Sequence, residues 1–244
     1  MENALACFGY LLFISKKSVD MKGLYLLIDF CTVIVPFLFS FHPKLQFYKH
    51  FKAFFLSCFT VGTLFVLWDV YFTSIGVWGF NSDYLIGIYL FNLPIEEVLF
   101  FVCVPFSCVY SYHCLNLFYD FNMEQKTEQR VVAILSSLLL FVGIVYYDRL
   151  YTSVTFISLA LLLVYFSFMR RTSWLGRLMN IYLFLLLPFF IVNGILTGTG
   201  LEAPIVWYNN HENLAIRLLT IPIEDAFYGF ALILLNVFFY EKWK

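Results

Sequence analysis

Seven long runs of apolar residues divide the chain, and short segments between them hold most of the charges. Each run can supply the roughly 20 residues that a helix needs to cross a bilayer. A membrane barrel would instead alternate polar and apolar positions over about 10 residues, whereas these runs are apolar on nearly every side. The pattern predicts an all-α integral membrane protein with seven transmembrane helices. The runs are 24–41, 51–73, 84–112, 131–147, 150–168, 178–196 and 212–240.

Composition supports this prediction. Of the 244 residues, 62 % are hydrophobic, 22 % aromatic and only 13 % charged, and the mean hydropathy is +0.83. Ordinary soluble domains are less apolar. The net charge of −1 gives no basic surface for nucleic acid, which excludes that class of partner.

Lysine and arginine are distributed unequally between the two sides of the predicted bundle, and cytoplasmic loops normally carry the excess. We therefore predict a multi-pass protein of the cell membrane with its amino terminus outside and its carboxyl terminus in the cytoplasm. Residues 1–20 contain an apolar stretch too short to span and no signal-cleavage site, so we interpret them as an N-terminal extension. The basic residues on the predicted cytoplasmic side are Lys44, Lys49, Lys52, Lys126, Arg130, Arg170, Arg171, Arg177, Lys242 and Lys244. Those on the predicted outer side are Lys16, Lys17, Lys22, Arg149 and Arg217.

One acidic motif occurs twice. Pro94-Ile95-Glu96-Glu97 returns 128 residues later as Pro222-Ile223-Glu224-Asp225, and the same offset moves the first three runs onto the last three. The sequence thus predicts two three-helix repeats, 21–119 and 150–244, joined by a connecting helix in 120–149. Because one extra helix separates them, the repeats should be parallel, related by a pseudo-twofold axis along the membrane normal.

The position of each motif within its run predicts its depth. Residues 94 and 222 lie about ten residues into their runs, or about 15 Å from the helix start, which places both motifs near the bilayer midplane. Proline removes a backbone donor, so we expect a kink at each motif. Such breaks are tolerated where they line a cavity.

Four carboxyl groups at that depth would be costly if ionised, at about 2.5–3.5 kcal/mol each. Burial and like-charge repulsion both favour the protonated form, so we expect some of them to be neutral acids. A neutral acid beside a carboxylate can donate a proton and take one back. Neighbouring helix positions differ by about 100°, so each motif offers one group to a substrate and one to a supporting contact. The alternative is that the carboxyls only bridge helices.

Other residues near the motifs could complete a site. Asn92, which shares the predicted helical face of Glu96, and Asn193 are candidates to contact a substrate, and Asp69 is a candidate supporting partner. Arg217 is the only cation in a predicted run near a motif.

Aromatic residues also accompany the motifs. Trp78, Phe100 and Tyr228 are candidates to contact a substrate, because aromatic faces stabilise cations by about 0.5–2 kcal/mol. Such a lining suits a carbocation.

At these residues the chain resembles the lycopene cyclase domain family, in its integral membrane form with both repeats on one chain. The resemblance rests on "NLPIEEVLFF", "TIPIEDAFYGF" and "WDVYFTSIGVWGFN", and it extends over about residues 21–241.

The resemblance implies an enzyme that closes the ends of lycopene into β-ionone rings without net oxidation, an intramolecular lyase or isomerase. Its catalytic acids would be Glu96, Glu97, Glu224 and Asp225. Lycopene or a related linear carotenoid would come from the bilayer through a lateral opening, and one composite site between the repeats is favoured over two. No cofactor and no metal are expected, since the dinucleotide motif G-x-G-x-x-G is absent.

The main alternative is a proton-coupled transporter, since parallel repeats and intramembrane carboxyls also occur there. Against it, the predicted helices carry no continuous polar path. A retinal protein is disfavoured because the last run lacks a lysine, and a prenyltransferase because aspartate-rich motifs are missing. The sequence leaves open the number of rings formed, the length of the substrate and the roles of the individual acids. It also leaves open the oligomeric state, for which a homo-oligomer is one alternative.

Overall fold

The computed structural model describes residues 21–244. The predicted extension at 1–20 lies outside the described residues. The chain from 21 onward forms an all-α membrane bundle with a few short strands. Six of its helices are long and apolar enough to cross a membrane, and α1 is a shorter apolar helix of 16 residues. The helices are α1 Leu24–Phe39, α2 Phe51–Ser74, α3 Ile95–Phe118, α4 Gln125–Val145, α5 Leu150–Val164, α6 Leu175–Leu196 and α7 Ile223–Trp243.

Two helices begin later than the sequence predicts. The third run was expected to be helical from residue 84 and the seventh from residue 212, but α3 starts at Ile95 and α7 at Ile223. Pro94 and Pro222 take the N-cap positions with extended backbone. Proline needs no hydrogen-bond acceptor for its nitrogen, and it disfavours helix at the residue before it. The predicted kinks at these prolines and the predicted depth of ten residues were therefore wrong.

A short β-hairpin precedes each acidic helix. Strands β2 Tyr89–Leu90 and β3 Leu93–Pro94 pair before α3, and β5 Arg217–Leu218 and β6 Ile221–Pro222 pair before α7. Both hairpin loops begin with a large apolar residue in left-handed backbone, Phe91 at φ 57° and Leu219 at φ 59°. The two hairpins obey the same 128-residue offset as the motifs, so the repeat extends to backbone conformation.

A two-stranded ribbon joins the repeats. Strand β1 Trp78–Phe80 runs antiparallel to β4 Val206–Tyr208, and residue 78 pairs with 208, 79 with 207 and 80 with 206. By the sequence offset, residue 78 corresponds to 206 and 80 to 208. Only a twofold axis through the pair of Gly79 and Trp207 gives this register. The ribbon therefore agrees with two repeats related by a pseudo-twofold axis, and their parallel orientation in the membrane stays a prediction.

Helix packing follows the same symmetry, with one departure. α1 packs against α3, and its counterpart α5 packs against α7. α2 packs closely against α7, whereas its counterpart α6 contacts α3 much less. A gap thus remains between α1 and α6.

Candidate active site

A cavity of about 600 Å³ fills the gap beside α6. Its wall comes from α1, α3, α6 and α7, and the β1–β4 ribbon contributes Trp78, Phe80, Val206 and Tyr208. Most of the wall is apolar. Leu27, Cys31 and Ile191 belong to the lining and are also exposed on the outer surface of the bundle. The cavity therefore opens sideways between α1 and α6, on a face that lipid would cover.

Each acidic motif turns one carboxyl into this cavity. Glu97 and Asp225 line it, although they lie in different repeats. Their neighbours Glu96 and Glu224 are fully buried and do not belong to the lining. Adjacent helical residues point about 100° apart, which explains the division.

Glu96 and Glu224 bind their own hairpin segments. The Ile86 amide donates to Glu96 Oε1 at 2.7 Å, and the Leu214 amide donates to Glu224 Oε1 at 2.8 Å. Thr152 adds a hydroxyl donor to Glu224 Oε1 at 2.6 Å. These two carboxyls hold the segment before each hairpin against the start of its helix.

The two cavity carboxyls have different hydrogen-bond partners. Glu97 Oε2 accepts a hydrogen bond of 2.5 Å from the Tyr25 hydroxyl. Asp225 accepts three, from Tyr151 to Oδ1 at 2.6 Å, from Asn193 to Oδ2 at 2.9 Å and from Tyr208 to Oδ2 at 2.9 Å. Burial, reinforced by the Asp225 charge, raises the pKa of Tyr208 well above its ordinary value, so this phenol stays a donor at neutral pH.

A third carboxyl reaches the cavity from outside the motifs. Asp69 of α2 lines it, and Asp69 Oδ1 accepts a hydrogen bond from the Trp78 indole nitrogen. In the second repeat the corresponding residue is Thr197, which carries no charge. The acid content of the cavity is thus asymmetric.

A cluster of aromatic rings in the cavity wall contacts both Asp225 and Asp69. The Trp78 ring centroid lies 5.1 Å from that of Tyr151, 6.1 Å from Tyr208 and 6.2 Å from Tyr228. Tyr151 and Tyr208 stack with centroids 5.8 Å apart. Phe100 also lines the cavity wall. Faces of such rings attract a positive charge.

The structure brings together most of the predicted binding residues. Trp78, Phe100, Asn193 and Tyr228 all line the cavity, and so does Asp69. Whether each contacts substrate stays a prediction.

Two predicted residues lie elsewhere. Asn92 is in the β2–β3 loop, where its amide donates to the Val70 carbonyl, so the expectation that it shares a helical face with Glu96 was wrong. Arg217 lies in β5 rather than in a helix and donates to Thr220 O and to Asn210 Oδ1. Both errors follow from the late helix starts at the two prolines.

Three important tyrosines were not predicted. Tyr25 and Tyr151 are the second residues of α1 and α5, and each donates to the cavity carboxyl of its own repeat. The repeated Leu-Tyr pair at 24–25 and 150–151 was the available sequence signal. Tyr208 had no such signal, because its position depends on the ribbon between the repeats.

Comparisons with known proteins agree with this geometry. The lycopene cyclase family model matches residues 22–115 and 148–243, and each matched segment contains one acidic motif. The chain belongs to the lycopene cyclase family. No curated protein and no solved structure matches it. Family membership identifies a carotenoid cyclase with a carotenoid substrate in a membrane environment, and it favours this function over the transporter considered above.

Proposed function

We propose that this protein is a lycopene β-cyclase that forms β-ionone rings by proton transfer between cavity carboxyls, as an intramolecular lyase or isomerase without a cofactor. The observation that supports this most strongly is that Glu97 and Asp225, one from each repeat, line a single apolar cavity. A proton-initiated cyclisation needs a donor and an acceptor near one substrate end. If each repeat formed its own site, each site would have only one of these two carboxyls and would lack either the donor or the acceptor.

The proposed reaction balances without an oxidant. An acid O–H bond breaks and its proton adds to the terminal double bond, which leaves a tertiary cation. The electron pair of the neighbouring double bond then forms the ring C–C bond and moves the positive charge into the ring. A base removes a proton next to that charge, and the released electron pair becomes the ring double bond. Substrate and product are isomers, and one proton must return from base to acid before the next ring.

The surroundings favour this chemistry. The rings of Trp78, Tyr151, Tyr208 and Tyr228 face a region where an intermediate cation would otherwise have little solvation. An apolar wall excludes water that would capture the cation. The lateral opening admits a hydrocarbon directly from lipid.

The same proposal includes the predicted domain organisation, with repeats at 21–119 and 150–244 joined by a connecting helix in 120–149. It also includes the predicted orientation, with the amino terminus outside the cell. With that orientation α3 and α7 would begin at the outer side of the membrane. The four acidic residues would then lie toward the outer half of the bilayer.

Expression in a lycopene-accumulating bacterium, followed by pigment chromatography, tests the proposal. Wild-type protein should convert lycopene to compounds with β-rings. Glu97→Gln and Asp225→Asn should each reduce ring formation by at least about 100-fold, because general acid and base catalysis contribute about 10²–10⁴ each. Glu202→Gln and Asp83→Asn make the same chemical changes at exposed positions and should keep full activity.

Unchanged lycopene with wild-type protein at normal expression would contradict the proposal. So would full activity of both cavity variants. Rings of another type would retain the cyclase but exclude the β product.

A further inference from the structure

We infer that Glu97 is the acid and Asp225 the base of the cyclisation, a division of roles that rests on the proposed function. The two residues occupy corresponding positions in the repeats, so sequence offset alone makes them equivalent. Their hydrogen bonds, however, distinguish the two residues.

Asp225 has the partners of a carboxylate. Both of its oxygens accept hydrogen bonds, and the donors are the Tyr151 hydroxyl, the Tyr208 hydroxyl and the Asn193 amide. A proton on Asp225 would compete with these donors, and the amide nitrogen of Asn193 cannot accept one. Hydrogen bonds to the charged form stabilise that form. Asp225 thus rests as an acceptor, and a carbocation is acidic enough to give a proton even to a well-stabilised carboxylate.

Glu97 has room for a proton. Its Oε2 accepts from Tyr25, and Asp69 lies close enough for a hydrogen bond between the two carboxyl groups. The residue lines the cavity and keeps 9 % exposure. A hydrogen bond between two carboxyl groups needs a proton on one of them, so a proton on Glu97 displaces no donor.

The second repeat is built to hold the base, and the first is not. Asn193 corresponds to Phe65 in the first repeat, so Glu97 lacks an amide donor at the matching position. Tyr208 corresponds to Phe80, which lacks the hydroxyl. The two donors that distinguish Asp225 from Glu97 are thus substitutions between the repeats.

The aromatic cluster adjoins both ends of the proposed proton transfer. Tyr151 and Tyr208, which bind Asp225, belong to the same ring cluster as Trp78 and Tyr228. Trp78 binds Asp69, which lies beside Glu97, so a cation formed there would stay close to these rings as its charge moves toward Asp225.

Deuterium in unreacted lycopene separates the two roles. Membranes with each variant would be incubated with lycopene in heavy water, and the recovered lycopene analysed by mass spectrometry. With Asp225→Asn, protonation by Glu97 continues and reverses, so recovered lycopene should gain deuterium although ring formation falls at least about 100-fold. With Glu97→Gln, recovered lycopene should stay unlabelled.

The reverse pattern would overturn the assignment, as would unlabelled lycopene from both variants. Labelled lycopene from Glu97→Gln combined with unlabelled lycopene from Asp69→Asn would assign the acid role to Asp69 and overturn it too. Wild-type protein that forms no ring would instead refute the proposed function.

A smaller substitution tests the same assignment if the carboxyl variants fail to fold. Asn193→Ala removes one donor from Asp225 and should raise the ratio of label in lycopene to label in rings about 10-fold or more, since a hydrogen bond to a charged group contributes about 1.5–3 kcal/mol. Tyr25→Phe should lower both labels together. A merely structural role for Asn193 would lower both without changing the ratio, which would overturn the inference.

Discussion

At the scale of single residues, the cost of burying acids is reduced by where they lie on their helices. Glu97 and Asp225 are in the first turns of α3 and α7. Free backbone N–H groups and the helix dipole favour negative charge there, by about 0.3–1 kcal/mol at exposed sites and up to about 2 kcal/mol when partly buried. Tyrosine donors add to this. The described part of the chain can therefore keep a carboxylate in an apolar cavity that no cation lines.

Tyr25 should matter for activity through its hydroxyl alone. Tyr25→Phe keeps the ring but leaves Glu97 Oε2 without its donor, so the carboxyl is no longer held toward the cavity. We expect cyclisation to fall by about 10- to 100-fold, the range for loss of a hydrogen bond to a group that becomes charged as its proton leaves. Initial rates of ring formation check this, and Tyr119→Phe at an exposed site is the matched control. Wild-type rates from Tyr25→Phe would contradict it.

Sequence found the acids but not all of their partners. Glu97 and Asp225 were predictable because a repeated motif in an apolar run is conspicuous. To know which acid of each pair faces the cavity, one must know where the helix starts. The donors Tyr25, Tyr151 and Tyr208 reach the acids through packing between distant segments of the chain. Periodicity within one helix carries no information about such contacts.

At the scale of elements, each proline before an acidic pair marks a helix start rather than a kink. Proline at a helix start followed by acids in the first turn is an N-terminal signal. The apolar residues before Pro94 and Pro222 hid that signal, because hydropathy does not distinguish an apolar hairpin from an apolar helix. Of the other boundaries, the end of α3 and the start of α4 were each wrong by six residues, and the rest were predicted to within four.

The ribbon between the repeats should be sensitive to one methyl group. A Cβ atom on Gly79 would overlap the Trp207 indole across the ribbon. We expect Gly79→Ala to destabilise the protein by about 1–3 kcal/mol, the usual cost of overpacking. Thermal melting in detergent measures this. Gly62→Ala is the control, since a Cβ there meets only the Phe101 carbonyl oxygen at 3.8 Å.

The hairpin tips should contact lipid. Phe91 is 79 % exposed and Leu219 is 77 % exposed, and both take left-handed backbone that is unfavourable for large side chains. Large apolar groups at matched exposed positions suit the bilayer interface. In Phe91→Trp and Leu219→Trp the added fluorescence should be quenched by bromine on lipid chains and not by aqueous iodide. Asp148→Trp, in an exposed loop, should show the opposite, and quenching of the tip variants by iodide alone would contradict the prediction.

At the scale of the whole molecule, the described residues of two similar repeats form one large cavity, beside α6. A smaller groove of about 420 Å³ occupies the pseudo-equivalent position between α2 and α5. Phe65 and Trp68 line that groove at the positions of Asn193 and Leu196 in the cavity. No carboxyl lines the groove among the described residues. Large rings and the close packing of α2 on α7 thus replace the second site, so both ends of a symmetric carotenoid would use the same acids.

Blocking the two openings should have unequal effects. Val192 lines the cavity and Leu64 lines the smaller groove at the corresponding position. Val192→Trp should reduce ring formation by at least about 10-fold by filling space that the substrate needs, since misplacing a substrate by about 1 Å can cost 100-fold. Leu64→Trp is the symmetry-matched control and should keep wild-type activity. Equal losses in the two variants would contradict a single route of access.

The repeat architecture itself was predictable, because the 128-residue offset is readable from the motifs. The asymmetry was not. It depends on how far α6 stands from α3, which no local pattern records.

The deuterium content of the rings made by wild-type protein tests the central claim most directly. Lycopene would be cyclised in heavy water, and the product analysed by mass spectrometry. Carboxyl protons exchange with solvent between turnovers, so the account predicts one deuterium per ring. Rings that contain no deuterium would contradict proton transfer from these carboxyls to the substrate.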